Sequence, residues 1–167
     1  MKKLIAILTL FTFASCVQRS DIKPFKLTLY NSNYSLAYNL KYVLTDHDLQ
    51  ITFKGELEGD KDSTLFRVAL KPSSALQKLS NIDFSGLKEY YQNPCIRDGS
   101  QIMVEVDKDF KNKSIQLSNF YQKDIGLAIE FINRSTPKKF KIWYDKALLL
   151  KAQQECKYVS NARYSGS

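Results

Sequence analysis

The chain has 167 residues, 44% of them hydrophobic, with only six Gly and four Pro. That composition excludes a collagenous, linker-rich or wholly disordered protein and suits one folded domain with a real core. The formal net charge is +8, but 20 of the 25 basic residues are Lys scattered along the chain, which is the pattern of a solubilised surface and not of phosphate or base recognition by Arg, so nucleic acid is not an expected partner.

The first predicted element is an export signal. Lys2 and Lys3 give a positive start, Leu4 to Phe13 form an apolar run, and Ala14-Ser15-Cys16 ends it with small residues. The run is too short to span a bilayer and has the anatomy of a signal peptide. Its last four residues, Phe13-Ala14-Ser15-Cys16, resemble the lipobox of bacterial lipoproteins, matching at Ala14, Ser15 and Cys16 and departing at Phe13, where that family prefers Leu or another aliphatic residue. The resemblance implies cleavage before Cys16 and a lipid on that cysteine, hence a membrane partner through the anchor. Ordinary signal cleavage at Thr12-Phe13-Ala14 is the competing reading. Removing residues 1–15 takes the two lysines with it, leaving 152 residues at net +6. Val17 is not the inner-membrane retention signal of that family, and no acidic cluster follows Cys16, so the resemblance places the protein in the cell envelope, on the periplasmic face of the outer membrane. A lipid on Cys16 also leaves Cys95 and Cys156 as an even pair in an oxidising compartment, where a disulfide is expected; two buried free thiols are the alternative.

Residues 16–24 read as a tether, closed by Pro24. From Phe25 the apolar period is two: Phe25, Leu27 and Leu29 make a strand, and Asn31-Ser32-Asn33 a turn. Leu36, Tyr38, Leu40, Tyr42 and Leu44 make the next strand, followed by Leu49, Ile51 and Phe53, then by Phe66, Val68 and Leu70. The short polar turns between them predict antiparallel hairpins, because a parallel pair needs a long crossover. After Pro72, Ser73 or Ser74 can cap a short helix carrying Ala75, Leu76 and Leu79. A further helical turn or two is expected from Phe84 to Tyr91, with Asp83 as cap. Ile102, Val104 and Val106, then Ile115 and Leu117, predict a second hairpin. Ile125, Ala128, Ile129 and Ile132 recur at helical spacing. Phe140, Ile142 and Tyr144 predict a brief edge strand, and Asp145 caps a last helix bearing Leu148, Leu149, Ala152 and Cys156. The expected fold is α+β, an antiparallel sheet of about six strands with two or three helices on one face. It occupies a single domain over 25–159, with a loose tail at 160–167.

Few residues suggest chemistry. His47 is the only His, set between Asp46 and Asp48, but adjacent turn residues diverge and a metal site needs three or four converging ligands. Glu56, Glu58, Asp60 and Asp62 alternate through a turn without the Gly and Glu spacing of a calcium loop. The sequence shows no nucleophile elbow, phosphate-cradling loop or metal-binding His motif, so no catalytic constellation and no cofactor is expected. Tyr30, Tyr34, Tyr90 and Tyr91 form a candidate binding patch, since Tyr is favoured at interfaces, whereas Tyr38 and Tyr42 fall on an apolar strand face. These features point to a lipid-anchored binding or accessory module that captures a protein partner in the envelope, in the manner of an inhibitor or immunity protein. The alternative is an envelope glycan- or lipid-binding factor using a basic, Tyr-bearing face. A contiguous exposed apolar patch favours the first, a concave Lys-lined groove the second.

Overall fold

The computed structural model describes residues 22–33, 38–55, 58–96, 98–109 and 111–164. In chain order these form β1 (Lys26–Asn33), β2 (Tyr38–Thr45), β3 (Asp48–Gly55), β4 (Ser63–Ala69), α1 (Ser74–Ser80), β5 (Tyr90–Gln92), β6 (Gln101–Lys108), β7 (Lys111–Ser118), α2 (Lys123–Ser135), a 3-10 turn (Lys138–Phe140) and α3 (Lys146–Tyr164). The class is α+β, built on one seven-stranded sheet ordered β4-β3-β2-β1-β6-β7-β5. Every neighbouring pair is antiparallel except β5, which runs parallel to β7.

Strand β1 is the seam of the sheet. It takes its hairpin partner β2 on one side and the distant β6 on the other, so Leu29 sits opposite both Tyr42 and Val104, and Leu27 opposite Leu44 and Val106. Extending that register gives a continuous row Ile51–Tyr42–Leu29–Val104–Ile115 across five strands, every member of it buried. Burying each such side chain contributes about 1.5–3 kcal/mol against leaving it in water, which is why a period of two commits this face to the core.

The helices cover that same face. Ser73 caps α1 by accepting from the Leu76 amide, and Leu76 and Leu79 point inward. In α2 the Gln122 side chain accepts from the Ile125 amide at 2.7 Å, and Ile125, Ala128, Ile129 and Ile132 form the buried stripe. Gly126 is needed in that helix because a Cβ there would meet the Tyr121 ring at 2.8 Å. Pro137 stops the helix, and the Thr136 hydroxyl donates to the Ile132 carbonyl at 3.0 Å. Helix α3 buries Leu149 and Cys156, and its Gln153 accepts from the Tyr121 amide at 2.8 Å. Cys95 and Cys156 are bridged, their Sγ atoms 2.06 Å and Cα atoms 5.6 Å apart, which ties α3 to the loop before β6.

Several segments depart from the sequence expectation, the first being Asn31-Ser32-Asn33, expected as a turn but forming the end of β1, paired with Tyr38, Asn39 and Leu40 of β2. The sheet has seven strands and not six because, within the segment expected as helix from Phe84 to Tyr91, a turn leads into β5, which takes Tyr90 and Tyr91. Asp83 does not cap a helix there; it closes a local turn on the amide and hydroxyl of Ser85, and the Gln116 amide then draws the Glu89 carbonyl to the sheet at 2.7 Å. The segment around Ile142 is not an edge strand, because the Asn133 side chain takes both backbone groups of Ile142, donating to its carbonyl at 2.8 Å and accepting from its amide at 2.7 Å. Helix α3 runs on to Tyr164, beyond the expected start of the tail at Ser160.

Candidate binding face

Alternation along the strands turns the other set of side chains to the second face of the sheet, and among the described residues the buried stripes of the helices join the core of the first face. The row beside the buried one reads Thr64–Thr52–Lys41–Tyr30–Met103–Gln116–Tyr90 from one edge of the sheet to the other. Met103 is 40% exposed and Tyr90 49% exposed, while Tyr30 between Lys41 and Met103 is half-buried by its neighbours. Large apolar side chains kept in water along one row of a sheet mark an interaction surface more often than scattered single ones do.

Its electrostatics are mild and local. The Tyr30 hydroxyl donates to Glu105 at 3.3 Å, and Lys41 Nζ lies 5.8 Å from the Tyr30 ring centroid. Partial burial, and then the Glu105 carboxylate, push the Tyr30 phenol above its ordinary value, so it stays a neutral hydroxyl able to donate. Thr28, opposite Glu105 in the next row of this face, is buried. The far end of the face is polar. There Asp48 accepts from the Thr45 hydroxyl at 2.6 Å and from Arg67 at 2.8 and 3.1 Å.

Of the four tyrosines singled out from sequence, Tyr30 and Tyr90 fall in this one row. Tyr91 does not; it is half-buried on the other side of β5, with its ring 5.3 Å from that of Phe120 and its hydroxyl accepting from the Lys88 amide. Tyr34 and Cys16 lie outside the described residues. Met103 was not among the sequence candidates. Its signal is that it interrupts the Ile102, Val104, Val106 alternation with an apolar residue on the phase that should be polar.

The other candidates organise differently. His47 is exposed in the β2–β3 turn, with Nδ1 3.2 Å from Asp46 and Nε2 3.9 Å from Asp48, and Asp48 is already held by Thr45 and Arg67. Among the described residues, no group of three His, Cys, Asp or Glu side chains converges as metal ligands. Of the acidic turn, Glu56 lies outside the described residues, Glu58 and Asp60 are exposed, and Asp62 pairs with Lys54 at 3.8 Å. A cleft of about 730 Å³ opens beside the β6–β7 hairpin and includes Lys23, Lys108, Lys111 and Lys113 in its wall. Two of those lysines already have partners, since Lys108 donates to the Ile82 carbonyl and Lys113 to the carbonyls of Ser85 and Leu87. Asp83, Glu89 and Asp109 share the wall. It is a mixed-charge cleft whose lysines brace the loop before β5.

Fold and face together define an α+β domain that covers one side of its sheet and presents the other. Comparison with protein-family models, with curated proteins and with solved structures finds no match to this chain. Among the described residues, no helix is long and apolar enough to cross a membrane.

Proposed function

We propose that this protein is a lipid-anchored module of the cell envelope, held at the periplasmic face of the outer membrane through Cys16, that captures a protein partner on the open face of its sheet. The observation that carries the reading is the row Tyr30–Met103–Gln116–Tyr90, which sets three large side chains, two exposed and one half-buried, on one face of the sheet. Tyr and Met are favoured at protein interfaces because they supply area and adaptable contact at low entropic cost. The glycan- or lipid-binding alternative leans on a Lys-lined groove, and in the cleft beside the β6–β7 hairpin two of the four lysines are already bonded to carbonyl oxygens.

A photo-crosslinking residue placed at Met103, in cells, tests the reading. A discrete adduct is expected from Met103 and none from Leu127, which is exposed on the outer side of α2. Adding Tyr30→Ser and Tyr90→Ser should abolish the adduct. Equal labelling from both positions, or none from Met103, rules the open face out as the capture surface.

A further inference from the structure

The segment from the 3-10 turn into α3 carries a second exposed patch, of a different kind. Trp143 and Leu148 are each 56% exposed, the most exposed of the large hydrophobic side chains among the described residues. Around them the sequence 137–151 holds five lysines, Lys138, Lys139, Lys141, Lys146 and Lys151, against one acid, Asp145. All five are exposed, and Asp145 is engaged in capping α3, accepting from the Leu148 amide at 2.9 Å. Lys139 Nζ lies 4.9 Å from the Phe140 ring centroid and Lys146 Nζ 5.7 Å from that of Tyr121, so both ammonium groups rest over aromatic rings at exposed positions.

We propose that this patch docks the domain on an anionic lipid bilayer. An exposed Trp and an exposed Leu in a stretch with five exposed lysines and one acid match the headgroup layer, where the indole sits at the apolar–polar boundary and ammonium groups meet phosphates. The opposite charge of the two surfaces selects this occupant over a neutral protein face. The position in the fold agrees. The Tyr42 hydroxyl donates to the Phe140 carbonyl at 2.9 Å and the Phe66 and Phe140 rings lie 6.1 Å apart, so the segment rides on the helix-covered side of the sheet. Docking there turns the open face away from the bilayer. The nine residues 16–24 span at most roughly 30 Å when extended, short enough to hold the domain near the membrane. The inference goes beyond partner capture and rests on that reading only for the anchor.

Trp143 is the only Trp in the chain, so its fluorescence reports the patch directly. The lipidated protein would be reconstituted into phosphatidylcholine vesicles with and without phosphatidylglycerol, with brominated acyl chains as quenchers. In anionic vesicles Trp143 emission should move to the blue and be quenched about twofold, and raising the salt should reverse both. Lys139→Glu with Lys141→Glu, both at exposed positions, should remove the effect without unfolding the domain. Flotation with phosphatidylcholine vesicles reads the anchor separately. Protein that floats on either lipid with Trp143 unquenched overturns the patch and spares the anchor. Protein that fails to float on phosphatidylcholine but is quenched by anionic vesicles overturns the anchor and sustains the patch. Quenching that is indifferent to lipid charge or to the double substitution also overturns it.

Discussion

The two faces of the sheet are built from the same strands, offset by one residue, and they do opposite things. Along the covered face Ile51, Tyr42, Leu29, Val104 and Ile115 meet under the helices with almost no water. One residue over, Thr52, Lys41, Tyr30, Met103 and Gln116 make a row of exposed and half-buried side chains. Burial supplies the stability of the first row, and the second is free to carry whatever side chains a partner requires. The lesson is in the departures: a polar group on the covered face must be satisfied, as the Tyr42 hydroxyl is by the Phe140 carbonyl, whereas an apolar group on the open face needs a reason.

The largest expected effect comes from loosening the helix layer while leaving both faces of the sheet intact. The Cys95–Cys156 bridge closes a loop with a sequence separation of 61. Replacing both with Ser should cost about 4 kcal/mol in the loop-closure view, less if the unfolded chain keeps structure. Denaturant unfolding measures it. A double variant as stable as the parent would mean that α3 is held by packing alone, and that the staple is incidental to the cover.

A second test puts neighbouring residues of β1 against each other. Leu29→Ala should destabilise by about 3 kcal/mol, since it opens a cavity under the helices, while Tyr30→Ala on the open face should cost less than about 1 kcal/mol. Comparable losses would show that the open face is part of the core and would remove it as a docking surface.

Much of this contrast was legible in the sequence, and the rest was hidden for a physical reason. The alternation of Leu27 and Leu29, of Tyr42 and Leu44, or of Ile102, Val104 and Val106 is a local signal, and each run became a strand with its apolar side inward. The Ser73 cap and the α2 stripe were local too. Strand β5 was not, because three residues of parallel pairing to β7 leave no period to detect. Nor was the fate of Ile142, which depends on one distant amide. The candidate face is the clearest case. Tyr30 and Tyr90 could be named from composition, but that they share a row with Met103 follows only from the order β1-β6-β7-β5, which no local pattern encodes.

The smallest effect distinguishes the faces by their chemistry and not by their size. Asp48 lies at the polar end of the open face, where the Thr45 hydroxyl holds its carboxyl below the usual range; partial burial opposes this and Arg67 reinforces it. A carboxyl whose folded pKa is depressed contributes stability above its unfolded value, about 3.9, and loses it as pH falls through the lower folded value. Asp48→Asn should therefore cost under about 1 kcal/mol at neutral pH, as expected of a partly exposed charged pair. The gap between variant and parent should close as the solution is acidified below the free aspartate range. The Leu29→Ala gap should stay constant over the same interval, because nothing titrates around a buried aliphatic row. Unfolding curves for the three proteins from neutral to acid pH decide it. An Asp48→Asn deficit that persists in acid would assign Asp48 a packing role, and the open face would then contribute to the fold by the same means as the covered one.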